Sequence, residues 1–189
     1  MKAQNKLNKE QQQTMAKAYR LFKNALNNHT CVLAKKWLEQ HALNQSETQA
    51  GYISPRVHQN KPSEFKTEFE AVGLLKPHRK QTGHLLFGKN SIVFPLKDEE
   101  NKIVNFCAIG IESKKTEFLN QQGLYPNFPP ATTEKLFITK TILDAATILQ
   151  CKTLKQDESV IALYNGAWMT AHTEAIEKLK RLKEVIVIE

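Results

Sequence analysis

With 189 residues, 41% of them hydrophobic and 24% charged, the chain can bury a sizeable core in one domain or in two small ones. No apolar run approaches the roughly 18 residues of a transmembrane helix, and the polar N-terminus MKAQNKLNKEQQQ lacks the apolar stretch of a signal peptide, so the expectation is a cytoplasmic protein with no membrane partner. The net charge of +8 is one-sided: residues 1–90 hold 15 Lys/Arg against 6 Asp/Glu and residues 91–189 hold 12 against 13, so the first half has the field either of a polyanion-binding lobe or of a lysine-rich solvated surface.

Cys31, Cys107 and Cys151 are odd in number and far apart, which suggests neither a disulfide framework nor a Cys-x-x-Cys zinc site. The six histidines, His29, His41, His58, His78, His84 and His172, show no metal-ligand spacing.

In chain order, Met15, Ala18, Tyr19, Phe22, Ala25 and Leu26 recur at three and four residues and predict an amphipathic helix over 11–27. After NNHT, whose Asn28 and Thr30 are candidate caps, a second helix carries Leu33, Ala34, Trp37 and Leu38 on its core side. NQSETQAGYISPR breaks helicity around a short extended piece, and a third helix over 63–72 is stopped by Gly73, with Phe65 and Phe69 four apart in the core. LKPHRKQTGHLLFGKN reads as a flexible basic loop holding Lys76, His78, Arg79, Lys80, His84 and Lys89. SIVFPLKDEENKIVNFCAIGI predicts a β-hairpin of strands 91–97 and 102–111, and the Pro- and Gly-rich KKTEFLNQQGLYPNFPP predicts an ordered linker between lobes.

From Lys135 the texture changes to strand, helix, strand, helix, strand: KLFIT, TILDAATILQ, SVIALY, TAHTEAIEKLKRL and EVIVI. Nearly continuous apolar strands alternating with helices predict a parallel sheet covered by helices. The chain stops at Glu189, at the end of the third strand, which reads as a truncation. The fold class expected is α/β, with a mixed α+β basic N-terminal lobe (1–125) followed by a partial, three-layer parallel-sheet lobe (126–189).

Five stretches taken together, AKKWLEQHAL, SIVFPLKDEENKIVNFCAIGI, GLYPNFP, LFITKTILDAATIL and VIALYNGAWMTAHTEAI, resemble the RNA-polymerase core of DnaG-type bacterial primases, in particular primase-like proteins of mobile elements. The resemblance implies that the second lobe is a Toprim-like (Rossmann-like) domain. It further implies magnesium held by a turn glutamate and by a later Asp-x-Asp, which aligns the attacking hydroxyl and the triphosphate. The chain departs from that pattern. Lys140 stands at the glutamate position and Thr141 at the glycine, Ser91 and Ile109 stand where the family has arginines, and no Asp-x-Asp follows Asp144, although Glu189 falls near its first acid. One carboxylate beside an ammonium is a poor magnesium site, so no cofactor is expected in this chain, although magnesium would be in an intact family member.

Several residues carry alternative readings. Lys140 is either a solvated substitution or a phosphate-binding cation, and Asp144 either a first-turn helix acid that favours the positive dipole end or pairs with Lys140, or a metal ligand. Asn165 and Gly166 are turn formers or part of a phosphate cradle. Thr170 is a helix cap. Trp168 is partly exposed, with base stacking as its functional alternative. The nucleic-acid-binding candidates are Lys76, His78, Arg79, Lys80 and Lys89. The expected function is a primase-derived module that binds single-stranded DNA or another nucleic acid in replication or mobile-element transfer, with a replication protein such as a helicase as a further partner. The alternatives are an active primase fragment completed beyond Glu189 or by a partner chain, and a scaffold that pairs its open sheet edge with another chain.

Overall fold

The computed structural model of the chain describes residues 6–78 and 83–188. It opens with helix α1 (Lys9–Asn27), started by a capping box in which Asn8 accepts from the Gln11 N–H and Gln11 reaches back to Asn8. Helix α2 (Val32–Gln40) and the single turn α3 (Gln45–Thr48) lead to strand β1 (Gly51–Ile53). Then come α4 (Ser63–Ala71), β2 (Leu75–Pro77), β3 (His84–Leu86), β4 (Ser91–Lys97), β5 (Ile103–Gly110) and β6 (Thr116–Phe118). The last third holds β7 (Lys135–Thr139), α5 (Ile142–Cys151), β8 (Glu158–Ala162), α6 (Thr170–Glu177) and β9 (Glu184–Ile188). Among the described residues no helix is long and apolar enough to cross a membrane.

The expected hairpin forms the middle of an antiparallel sheet ordered β1-β4-β5-β6. Its side chains alternate between two cores, as a period of two demands. Val93, Phe106 and Ala108 face α1 and α4, where Phe22 meets Phe106 edge-on at 5.5 Å. Ile92, Phe94, Leu96, Cys107 and Ile109 face the other way, onto Trp37, Leu38, Tyr125 and the α5 residues Ile142, Ala145 and Ala146.

Strands β8, β7 and β9 lie parallel, in that order. The crossover through α5 runs from β7 one way, and the crossover through α6 returns over β7 the other way. Right-handed connections then place the two helices on opposite faces. The packing agrees, since α5 joins Val160 and Ala162 while α6 joins Leu136, Ile138 and Ile161. The parallel lobe therefore has the three layers expected.

Several local expectations are corrected. Leu33 is 56% exposed and not on the core side of α2, because Ala34, Trp37 and Leu38 already fill that face. The basic stretch 74–89 is not a loop throughout: Leu75–Pro77 and His84–Leu86 pair antiparallel. The linker contributes an edge strand, β6, and α6 ends at Glu177 where a run of tight turns, rich in Lys and Arg, leads into β9. Thr170 is the first helical residue, and the cap position belongs to Met169.

Residues 122–125 join the two sheets. Lys97 and Leu124 exchange backbone hydrogen bonds of 2.9 and 2.8 Å, and the next residue, Tyr125, accepts from Ala162 N at 3.0 Å. Gly123 makes this approach feasible. It has φ +77°, and a Cβ there would lie 2.7 Å from Val104 Cγ2 and 2.9 Å from Lys97 O. Gly123→Ala is expected to cost about 3 kcal/mol from overpacking and left-handed strain, lowering Tm by roughly 6–12 °C for a chain of this size. An unchanged melting curve would show that this contact does not hold the sheets together.

Candidate functional site

Strand β7 ends at Thr139 and the chain turns through Lys140 into α5. Thr141 caps the helix: its hydroxyl donates to Asp144 Oδ2 at 2.5 Å, while the Thr141 N–H reaches the same oxygen at 3.2 Å. Asp144 is therefore a capping residue and not the partner of Lys140, because its carboxylate is nearer two donors that the helix start presents. Lys140 is exposed, and among the described residues no carboxylate lies within 4 Å of its ammonium.

The β8–α6 loop folds back onto this turn. Gly166 N donates to Lys140 O at 2.9 Å, and a Cβ on Gly166 would lie 3.7 Å from Lys140 Cγ and Cε. Asn165 and Gly166, with φ of 50° and 84°, are the turn formers that let the loop reverse here. Lys140, Thr141, Asp144, Asn165 and Gly166 thus converge at the C-terminal ends of β7 and β8, neighbouring strands whose crossovers leave toward opposite faces of the sheet. Open α/β sheets bind ligands at such a place.

This donor set does not fit a magnesium ion. A hard divalent cation takes several oxygens in a tight shell, whereas the turn offers an ammonium and one carboxylate already engaged in a cap. Among the described residues no three His, Cys, Asp or Glu side chains are placed to hold a metal. Glu189 lies outside the described residues.

Below the loop, His172 is fully buried. Its Nε2 is 3.1 Å from Ala162 O and its Nδ1 is 2.9 Å from Met169 N, an arrangement that the neutral Nε2–H tautomer satisfies at both ends. Burial holds its pKa below the ordinary 6.5. Tyr164 stacks on Phe118 at 4.2 Å, and its phenol, pushed up by burial, donates toward Gln122 O and Gly123 O at 2.6 and 2.9 Å.

The second group lies around the β2–β3 hairpin. Lys76 and Lys89 are exposed and His78 is half-buried, whereas Arg79 and Lys80 lie outside the described residues. His84 is drawn to Glu70 on α4 at 2.6 Å. The structure adds His58 and Lys66, which linear spacing does not connect to the hairpin. The His58 ring is 6.4 Å from that of His84, and burial, followed by the charges of His84, Lys66 and Lys89, lowers its pKa. The only available signal was the overall basic excess, since residues 58, 66, 84 and 89 meet through tertiary packing alone.

Ser91 and Ile109 belong to neither group. Both are buried in the antiparallel sheet, Ser91 opposite Ile53 and Gly110, Ile109 within the core facing α5. The hairpin packs with α1 and α4 on one face of that sheet and the parallel lobe docks on the other, so the two candidate groups are carried by layers on opposite faces.

No protein-family profile matches the sequence, and no curated protein does. Solved structures do. A DNA primase domain from Pseudomonas aeruginosa matches with a TM-score of 0.73 at 16% identity, over 94% of this chain and 60% of that one. The RNA polymerase domain of Mycobacterium tuberculosis primase DnaG, in complex with double-stranded DNA, matches with 0.73 at 14% identity, over 97% and 64%. A DnaG primase catalytic domain bound to single-stranded DNA matches with 0.72 at 15% identity, over 94% and 62%. A mixed α/β chain whose antiparallel sheet abuts a three-layer parallel lobe is thus built on a known plan. The fold is that of the DnaG-type primase catalytic core, and the chain spans about three-fifths of the length of the structures it matches.

The histidines give a pH prediction with a defined sign. Below its ordinary pKa of 6.5 the unfolded chain binds protons that folded His172 and His58 resist, so their contribution to stability is present above that value and is lost as pH falls through it. Tm should fall between about pH 7.5 and about pH 5.5, with a shallower fall in His172→Gln. Equal slopes for the variant and the parent would contradict the assignment.

Proposed function

We propose that the chain is a primase-derived nucleic-acid-binding module of DNA replication or mobile-element transfer, acting in the cytoplasm without its own metal-dependent nucleotidyl transfer. Its working division is a basic lobe (1–125) that contacts single-stranded DNA and a Toprim-like lobe (126–189) that supports it. The observation that carries the reading is the proximity of His58, Lys66, His84 and Lys89 beside the β2–β3 hairpin of a primase-core fold, with exposed Lys76 on the same hairpin. Solved structures of this fold in complex with single- and double-stranded DNA support it.

The binding chemistry is electrostatic. Lysines that neutralise phosphates release condensed counterions, and this supplies affinity with little dependence on sequence. At the β7–α5 turn Lys140 contributes a monovalent point charge. It can hold a phosphate, assisted by its place at the strand end, but it does not polarise the phosphoryl group as a coordinated divalent ion would. A replication protein such as a helicase is the partner proposed for such a module.

A second reading, a scaffold extended by another chain, is favoured by β9. Among the described residues this strand pairs only with β7, and it leaves Val185 46% and Val187 62% exposed. Concentration-dependent size without DNA affinity would select that reading.

Fluorescence anisotropy with a labelled single-stranded oligomer tests the main proposal. Affinity should fall steeply with salt, and the combined Lys66→Ala, Lys76→Ala and Lys89→Ala variant should bind more weakly, with its log–log salt slope reduced by about two. Lys140→Glu should weaken binding more than Lys140→Ala. Unchanged affinity and slope in the triple variant would remove the hairpin from the interface.

A further inference from the structure

The β8–α6 loop carries an aromatic ring that packing does not consume. Trp168 is 50% exposed, whereas the other tryptophan, Trp37, is buried at 6%. The exposed ring is nonetheless fixed. Its Nε1 donates to Thr173 Oγ1 at 2.9 Å, and the ring of His172 lies beside it with centroids 5.3 Å apart and planes tilted by 39°. His172 is itself held through both ring nitrogens, so Trp168 rests on a buried, anchored side chain. A ring tethered in this way loses little conformational freedom when a ligand covers its open surface.

The same loop is in contact with Lys140. Gly166 is hydrogen-bonded to the Lys140 carbonyl and lies against the Lys140 side chain, and Trp168 follows two residues later. Two trans-peptide steps place the Trp168 and Gly166 Cα atoms within about 7.6 Å of each other. A π surface and a cation that has no carboxylate within 4 Å among the described residues are therefore carried by one loop-and-turn unit. The pairing selects the ligand chemistry: an aromatic face takes any base, a lysine takes the adjoining phosphate, and a base inside a duplex has no free face to offer.

We propose that Trp168 stacks on an unpaired base of a single-stranded nucleic acid whose adjoining phosphate is held by Lys140. The inference rests on the nucleic-acid-binding reading above and assigns it a defined contact on the parallel lobe, separate from the basic hairpin. Because every base has a π face, the contact adds affinity without sequence preference.

The test follows the intrinsic fluorescence of the full chain during titration with oligothymidylate and with an abasic oligomer of equal length, alongside anisotropy of the labelled strands. Oligothymidylate should quench emission and the abasic strand should not. The quench should vanish in Trp168→Leu, whose affinity for oligothymidylate should fall about 5- to 100-fold, and Trp168→Phe should lose less. Lys140→Ala should weaken both strands by a similar factor. Equal quenching by the abasic strand, or full affinity in Trp168→Leu while the chain still binds DNA, would overturn the stacking contact alone. Failure of the parent chain to bind either strand would overturn the nucleic-acid reading along with it.

Discussion

The architecture depends on a buried polar junction between the two sheets. Asn105, fully buried in β5, places its Nδ2 within 3.0 Å of Asn120 O, Gln122 O and Tyr164 Oη, and its Oδ1 accepts from the Phe106 and Asn120 N–H groups. Through these bonds the antiparallel sheet grips the 119–124 segment, which in turn hands Leu124 to β4 and Tyr125 to β8. Polar groups removed from water must find partners or cost about 1–3 kcal/mol each, so this network allows one registry of the two sheets and penalises others. The α5 side reinforces it: Gln150 bonds Ala42 O and the Asn44 N–H, and the Tyr125 hydroxyl donates to Thr48 O at 2.7 Å. Because Tyr164 sits immediately before Asn165, Gly166 and Trp168, the junction also fixes the loop that meets Lys140.

That loop and turn meet at the C-terminal ends of β7 and β8, the end of an open α/β sheet at which ligands bind. In a metal-dependent turn, acidic oxygens would gather a divalent ion, and the ion would gather phosphate oxygens. Here the strand end presents an ammonium, and the nearby acid is used to start a helix. An ammonium attracts phosphate and repels magnesium, and this is the basis on which phosphate binding at the turn is proposed. Attraction by one lysine is weaker than coordination to an ion, and this is why the proposed affinity depends on several modest contacts, the hairpin cations, Lys140 and the Trp168 ring, rather than on one centre.

Much of the fold was legible because it is written in period. The β-branched runs in SIVFPLK and KIVNFCAIG, which are buried on both faces, the three-and-four spacing in α1, which buries one face, and the nearly continuous apolar strands from Lys135 onward each marked their element. The missed elements, β2, β3, β6 and α3, are three or four residues long, too short to show a period, and they exist because neighbouring backbone groups are available to pair. The turn site was legible in part: the order of the motifs pointed to Lys140 and to the Asn165–Gly166 loop, and the structure brings them together. The proximity of His58 and Lys66 to His84 and Lys89 was not, since it arises through tertiary packing alone, and neither was the anchoring of Trp168 on His172.

The central claim, that a primase-core fold here binds nucleic acid without joining nucleotides, is tested most directly by primer synthesis on a single-stranded template. Nucleoside triphosphates and magnesium would be supplied, and template binding verified in the same sample. The account predicts bound template and no primer. Magnesium-dependent primers that disappear in Asp144→Asn would contradict it, because they would require the turn to hold the metal that its donor set does not fit.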